Sequence, residues 1–273
     1  MIIMVVALVL VAATIIGYQF FARKPKFYAH AEYWVYSKAS NLPTTEKLMI
    51  RLVGENPYIQ QGANPVGGAE GLVLSDIRLK IALVLQQKNP RLFEGKLLPE
   101  SITDHHEFVN DVGTFKSIVR LQYISTTKLK DKRHLQFLMH AADAAAEIND
   151  AHWILDKITG TLRSKEEQAD ILRQNFNVTK LEFHVRLEAG EDCTFSSYGL
   201  RKIGISDFDT HPVSTDQMQL VREILEKYMA LSWERGEPFP DPIKAYEDEF
   251  YIIQTPPRKG RTLMRIVRKQ MLP

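Results

Sequence analysis

After Met1 the chain shows no alternation of polar and apolar positions at all. Ile2 to Phe21 reads IIMVVALVLVAATIIGYQFF, carries no charge, and has polar side-chain atoms only at Thr14, Tyr18 and Gln19. As a helix rising about 1.5 Å per residue this run covers about 30 Å, the thickness of a bilayer's hydrocarbon core. A helix also satisfies its own backbone hydrogen bonds there. Arg23, Lys24 and Lys26 follow at once and mark its end. The pattern predicts a transmembrane anchor over 1–22. A cleaved signal would want a positive start, a shorter apolar run and a small-x-small site close behind. Ala29-His30-Ala31 is such a triplet, but three cations separate it from the apolar run.

Beyond the anchor the periodicities change repeatedly. Residues 23–44 read as a juxtamembrane stalk, whose tyrosines and Trp34 suit the lipid headgroup level or, equally, a first strand packed on the domain. Lys47–Val53, Ile77–Leu85 and Ser117–Ser125 read as strands, the second with a helical alternative. From Asp131, a possible N-cap, Leu135, Leu138, Ala142, Ala145 and Ile148 form one apolar helical stripe. Ala151–Asp156 is a strand and Thr159-Gly160-Thr161 a turn. Ser164 with Glu167 three residues on is a capping box for a helix over 165–174. Val178–Leu187 alternates well and predicts a hairpin with Cys193–Tyr198. A second long helix begins at Ser214 or Thr215 and stops before Gly236, and a strand follows at 250–253. Irregular alternation of strands and helices with hairpin-length links predicts an α+β fold. Its sheet is antiparallel or mixed with helices on one face, and a single N-terminal transmembrane helix precedes it. The globular part spans 45–257, open to division into two subdomains near 100–115, and residues 258–273 form a basic tail.

Charge then sets orientation. The anchor's C-terminal flank carries three cations and its N-terminal flank none, which by the positive-inside bias places the rest in the cytoplasm, on an inner (plasma) membrane. The single Cys193 excludes an intramolecular disulfide framework. A formal net charge of +2 argues against nucleic acid as the partner. The cations are nevertheless unevenly placed. Arg258, Lys259, Arg261, Arg265, Arg268 and Lys269 in the tail could join Arg23, Lys24 and Lys26 on anionic lipid at about 1 kcal/mol each. The other reading is a last element packed on the domain with its charges in water.

Candidate chemistry is sparse. Asp104-His105-His106 has the residue types of a metal-dependent phosphoesterase triplet, but its Asp-x-Asp companion, Asp207-Phe208-Asp209, lies downstream rather than upstream. His140, Asp143, Glu147 and Asp150 share one helical arc and could ligate a metal, although that arc is expected to be the solvated face of the helix. Gly67-Gly68-Ala69-Glu70-Gly71 lacks the Gly-Lys-Ser/Thr of a phosphate loop. It lies in a loop from Gly54 to Gly71 with five glycines and two prolines. Cys193 beside Glu191 and Asp192 has no neighbouring cation to make it a thiolate. No cofactor is called for.

One stretch carries a resemblance. An Ala-rich helix over Leu135–Ile148, a strand ending in Asp156, a helix from Ser164, and later Gly199-Leu200-Arg201-Lys202-Ile203-Gly204-Ile205-Ser206-Asp207 together resemble a bacterial family catalogued as a domain of unknown function, over about 77–249. Ile203 and Ser206 depart from its pattern. The resemblance implies an α+β fold and a bacterial origin, and brings no catalytic residue. The expectation is a membrane-anchored, non-catalytic domain that binds a protein partner, in an immunity or regulatory role. Its rivals are a membrane-tethered metal-dependent hydrolase and a sensor of anionic lipid.

Overall fold

The computed structural model describes residues 28–67, 78–94, 102, 105–255 and 261–269. The anchor, Arg23, Lys24, Lys26, Asp104, Arg258 and Lys259 lie outside them. Among the described residues no helix is long and apolar enough to cross a membrane.

Strand β1, Ala29–Ser37, supplies side chains to two cores at once. Ala31, Tyr33 and Val35 enter the main core, while Tyr36 enters a second one with Phe93, Phe108, Phe115 and Trp153. Strands alternate faces with period two, so a strand between two cores buries both of its faces. Of the two readings of this aromatic run, 29–37 is therefore the first strand packed on the domain, with Tyr33 and Tyr36 fully buried rather than at a lipid surface. The remaining strands of this sheet are β2 (Leu79–Leu85), β3 (Ser117–Ser125), β4 (Trp153–Asp156) and β5 (Thr161–Ser164). They pair antiparallel throughout in the order β2-β3-β1-β4-β5. The expected dividing line near 100–115 therefore falls inside one sheet.

Lys47–Val53 is helical, not extended. Helix α1 spans Thr45–Met49 and a π-helical turn follows over Ile50–Gly54. The Thr44 hydroxyl caps it by accepting from the Lys47 amide at 3.2 Å, and Leu48 and Leu52, four apart, are both buried. Helix α2, His106–Asp111, covers the second core, with the Tyr36 and Phe108 rings 4.9 Å apart in an edge contact. Helix α3, Arg133–Ile148, lies on the other face of the sheet against β1 and β3. Helices thus flank this sheet on both sides, not one. Helix α4, Lys165–Gln174, starts at the Ser164–Glu167 capping box, with both of its hydrogen bonds present.

The second sheet holds β6 (Arg186–Ala189), β7 (Phe195–Tyr198), β8 (Asp207–Thr210), β9 (Ile243–Ala245), β10 (Asp248–Gln254) and β11 (Arg261–Arg268). Its order is β6-β7-β8-β11-β10-β9, mixed because β8 and β11 run parallel. Helix α5, Met218–Arg235, packs on it and stops at Gly236, whose left-handed backbone (φ 71°) closes the helix. The predicted strand over 178–187 is extended only from Arg186. Leu181–Phe183 is a 3₁₀ turn because Val178 and His184 both turn inward. One continuous core, including Tyr33, Leu138, Phe195, Ile224 and Trp233, joins the sheets. Both sheets make the chain α+β, with one antiparallel and one mixed sheet.

Candidate functional site

Where the two sheets meet, six polar side chains are sealed in the core. Asp156 ends β4 and pairs in register with Tyr33 of β1. Its Oδ1 accepts from the Ile158 and Thr159 amides at 3.1 and 3.3 Å, turning the hairpin into β5. Its Oδ2 accepts from the Lys202 ammonium, which also donates to the His184 carbonyl at 3.0 Å. Lys202 reaches this point because Gly199 (φ 113°) and Gly204 (φ 93°) bracket the 3₁₀ turn that carries it. Burial lowers the Lys202 pKa, and Asp156 beside it opposes that shift.

The surrounding imidazoles are held neutral. His184 Nε2 donates to the Val178 carbonyl at 2.7 Å, so Nδ1 is the acceptor and the Tyr33 hydroxyl, 3.4 Å away, faces it. Burial and the Lys202 charge lower the pKa of His184. His134 donates through Nε2 to the Lys202 carbonyl at 3.0 Å, and burial brings its pKa down to about 4. Asp207 accepts from the Leu200 amide at 2.9 Å, and burial raises its pKa to about 6.

Acid, ammonium, imidazole and phenol resemble an assembled catalytic set, but access decides otherwise. Tyr33, His184 and Lys202 have no exposed surface and Asp156 is 1% exposed. No substrate reaches them without unfolding. The cluster is a clasp that ties the end of β4 to the turn before β8, and so one sheet to the other. Sequence reading had Asp156 and Lys202 within the resemblance but gave neither a role. A charged residue closing the apolar run Trp153–Leu155 was the available signal.

The predicted sites fare differently. His105 and His106 are both exposed at the start of α2, and among the described residues no group of three metal-capable side chains comes together. Of the arc His140, Asp143, Glu147 and Asp150, the last two are exposed as a solvated face would have them, and the first two are not. His140 and Asp143 are 1% and 2% exposed, because the α1 region folds over them. Arg51 donates to Asp143 at 2.9 Å and to Glu147 at 2.6 Å, and the Tyr58 hydroxyl donates to Asp143 at 2.8 Å. Of the tail, Arg261 sits in β11 paired with Asp209 at 2.7 Å and donates to the Ser197 and Phe208 carbonyls. Arg268 and Lys269 pair with Asp248 and Glu249 across β10. β11 is thus an interior strand of the second sheet, so this part of the tail is a packed element and not a free amphipathic segment. Arg265 is exposed.

On the opposite face of β1, Glu32 is also saturated. Arg120 forks across both of its oxygens at 2.7 and 3.0 Å, with Trp34 and Gln122 donating as well. Burial pushes this carboxyl's pKa up, but hydrogen bonds from His30, Arg120 and Trp34 overcome it and hold it well below the usual range. No lone pair is left for a ligand.

An accessible concavity lies elsewhere. A cleft of about 480 Å³ opens between the first half of α5, the loop 211–214 and the outer half of β11. Val213, Leu220, Ile224 and Phe250 give it apolar walls, and His211, Asp248, Arg265 and Arg268 stand among its polar lining. It exists because β8 ends at Thr210, level with Met264, while β11 runs on to Arg268. A second, shallower hollow of about 240 Å³ lies between Leu42–Lys47 and the end of α3. Comparison of the chain with family models, curated proteins and solved structures finds no match.

Proposed function

We propose that this chain is a single-pass, membrane-anchored, non-catalytic interaction module whose folded body stands at the cytoplasmic face of the inner membrane and binds a protein partner. The observation that carries the reading is a division of surface. The described groups with catalytic chemistry are locked into the fold or spread in solvent, while an accessible cleft beside α5 has apolar walls and a polar rim. Apolar clefts with a few polar groups on the rim are where binding free energy concentrates. The anchor rests on the uncharged run 2–21 and its trailing cations. Ala29 and Ala31 also support an uncut chain. They are 1% and 0% exposed and pair with Ser125 and Tyr123 inside β1, so cleavage after Ala31 would cut into a central strand.

The experiment is site-specific photo-crosslinking in intact cells, with the photoreactive side chain at Leu220 in the cleft or at exposed Asp170 on α4. The reading predicts a discrete light-dependent protein adduct from position 220 and none from 170. No adduct from the cleft, with the protein present in membranes, would overturn it.

A further inference from the structure

Backbone pairing in the second sheet says what sort of segment the cleft is shaped for. The Thr255 amide donates to the Leu263 carbonyl at 3.0 Å, which fixes residues 255 and 263 as a hydrogen-bonded pair. Antiparallel pairing alternates, and β10 and β11 keep one register from Gln254↔Met264 to Phe250↔Arg268. The pairs 253–265 and 251–267 therefore bond across β10 and β11. Met264, Ile266 and Arg268 turn their amide edges the other way, toward β8. Met264 finds a partner there, since its carbonyl accepts from the His211 amide at 3.2 Å. Then the chain departs at Pro212, and the Val213 amide goes instead to the Cys193 carbonyl at 3.1 Å. Among the described residues nothing takes the edge of Ile266, and it looks into the cleft.

From this open half-edge we infer that the cleft receives an extended peptide of a partner protein, four to five residues long and alternating acidic with apolar side chains, as an added strand beside β11. The inference rests on the interaction-module reading and names its partner's chemistry. The span Arg265–Arg268 is about 13 Å at about 3.3 Å per residue, which sets the length. Alternate side chains of an added strand fall on the α5 side, where Val213, Leu220 and Ile224 form the wall. Charge selects the sign. Arg265 is exposed on the face of β11 away from Met264 and Ile266 and has no ion-pair partner among the described residues, while Arg268 on the other face is paired with Asp248, so the free cation on the rim favours carboxylates. The same cations disfavour a second copy as occupant. Two β11 edges laid together would bring Arg265, Arg268 and Lys269 of each chain against one another.

The test uses the full chain in detergent micelles and a fluorescein-labelled peptide, Glu-Val-Glu-Val-Glu-Val, capped at both ends. Its comparators are the same peptide with alternate amides N-methylated and a Lys-Val-Lys-Val-Lys-Val version. Saturable binding is expected for the acidic peptide, about tenfold weaker after N-methylation, which removes backbone donors. Binding of the lysine version is expected to be weaker still. Ile266→Pro deletes a donor that does not serve β10. It should weaken the acidic peptide while leaving thermal unfolding of the domain within a few degrees, and Leu220→Lys should abolish binding. Equal affinity for the N-methylated or the lysine peptide would overturn the inference. So would an absence of peptide binding alongside a Leu220 adduct in cells, in which case the module reading would stand without it. An absence of both would remove the two together.

Discussion

Replacing Lys202 with Met tests the clasp, because Met keeps the length and apolar stem of lysine while deleting its charge. In the native chain the ammonium is the counterion of Asp156, a carboxylate that is 1% exposed. After Lys202→Met that carboxylate keeps the Ile158 and Thr159 amides but no positive partner, and the His184 carbonyl loses its donor. Removing one member of a buried ion pair costs about 3–5 kcal/mol, mostly the penalty of stranding the other charge. Asp156→Asn retains an oxygen for the two amides and removes that stranded charge. The double variant Lys202→Met with Asp156→Asn should therefore cost only about 1–2 kcal/mol, a single lost hydrogen bond with its repacking. Urea denaturation of the four proteins in detergent, followed by tryptophan fluorescence, gives the cycle. Trp233 reports directly, since its ring stacks on His184 at 5.9 Å. A coupling energy near zero, with the double variant as unstable as the two single costs added, would refute the reasoning.

The bracketing glycines should differ sharply on substitution by Ala. A Cβ at Gly199 would lie 2.0 Å from the His184 carbonyl oxygen, a backbone atom that cannot yield, so Gly199→Ala should prevent stable folding in a thermal melt. At Gly204 the obstruction is the Tyr28 ring at 2.1 Å, which can swing away, leaving mainly a left-handed backbone penalty of about 1–2 kcal/mol. Asp207→Asn should stabilise the protein at pH 8 by about 1–3 kcal/mol. An acid raised from 3.8 to about 6 binds its proton more tightly in the folded state, so its cost to stability builds as pH rises from about 4 to 6 and is full above that. The advantage of Asn should fade as pH falls from 6 to 4, and denaturation at both ends of that window checks it. Tyr58→Phe removes the hydroxyl that serves buried Asp143 and should cost about 1–2 kcal/mol, measured in the same way.

Local chemistry was legible where it was self-contained. β3 coincides with the predicted Ser117–Ser125, and α4 begins at its predicted cap, because hydrophobic alternation and a capping box act within a few residues. β1 was legible only as one of two readings, because both of its faces are buried and its aromatic run suits a lipid surface as well as a core. Lys47–Val53 fits either period, and Thr44 with the Leu48–Leu52 spacing decided for helix. Asp143 reads as solvated on its own helix. What buries it is Arg51 and Tyr58, far away in sequence. Lys202 stood only as one basic position in the Gly199–Asp207 stretch, and its role appears only where it meets Asp156. The cleft was invisible for the same reason. It arises from β8 ending level with Met264 while β11 runs four residues further, to Arg268, a relation between strands that no local pattern records.

The proposed module is a folded body held at the membrane by an uncut first helix. Alkaline carbonate extraction of membranes, with the N-terminus of the extracted chain sequenced and a reporter active only in the cytoplasm fused after Pro273, addresses both parts. The account predicts an intact chain that stays in the membrane pellet and an active reporter. A chain beginning near Glu32, or one released into the carbonate supernatant, would contradict it.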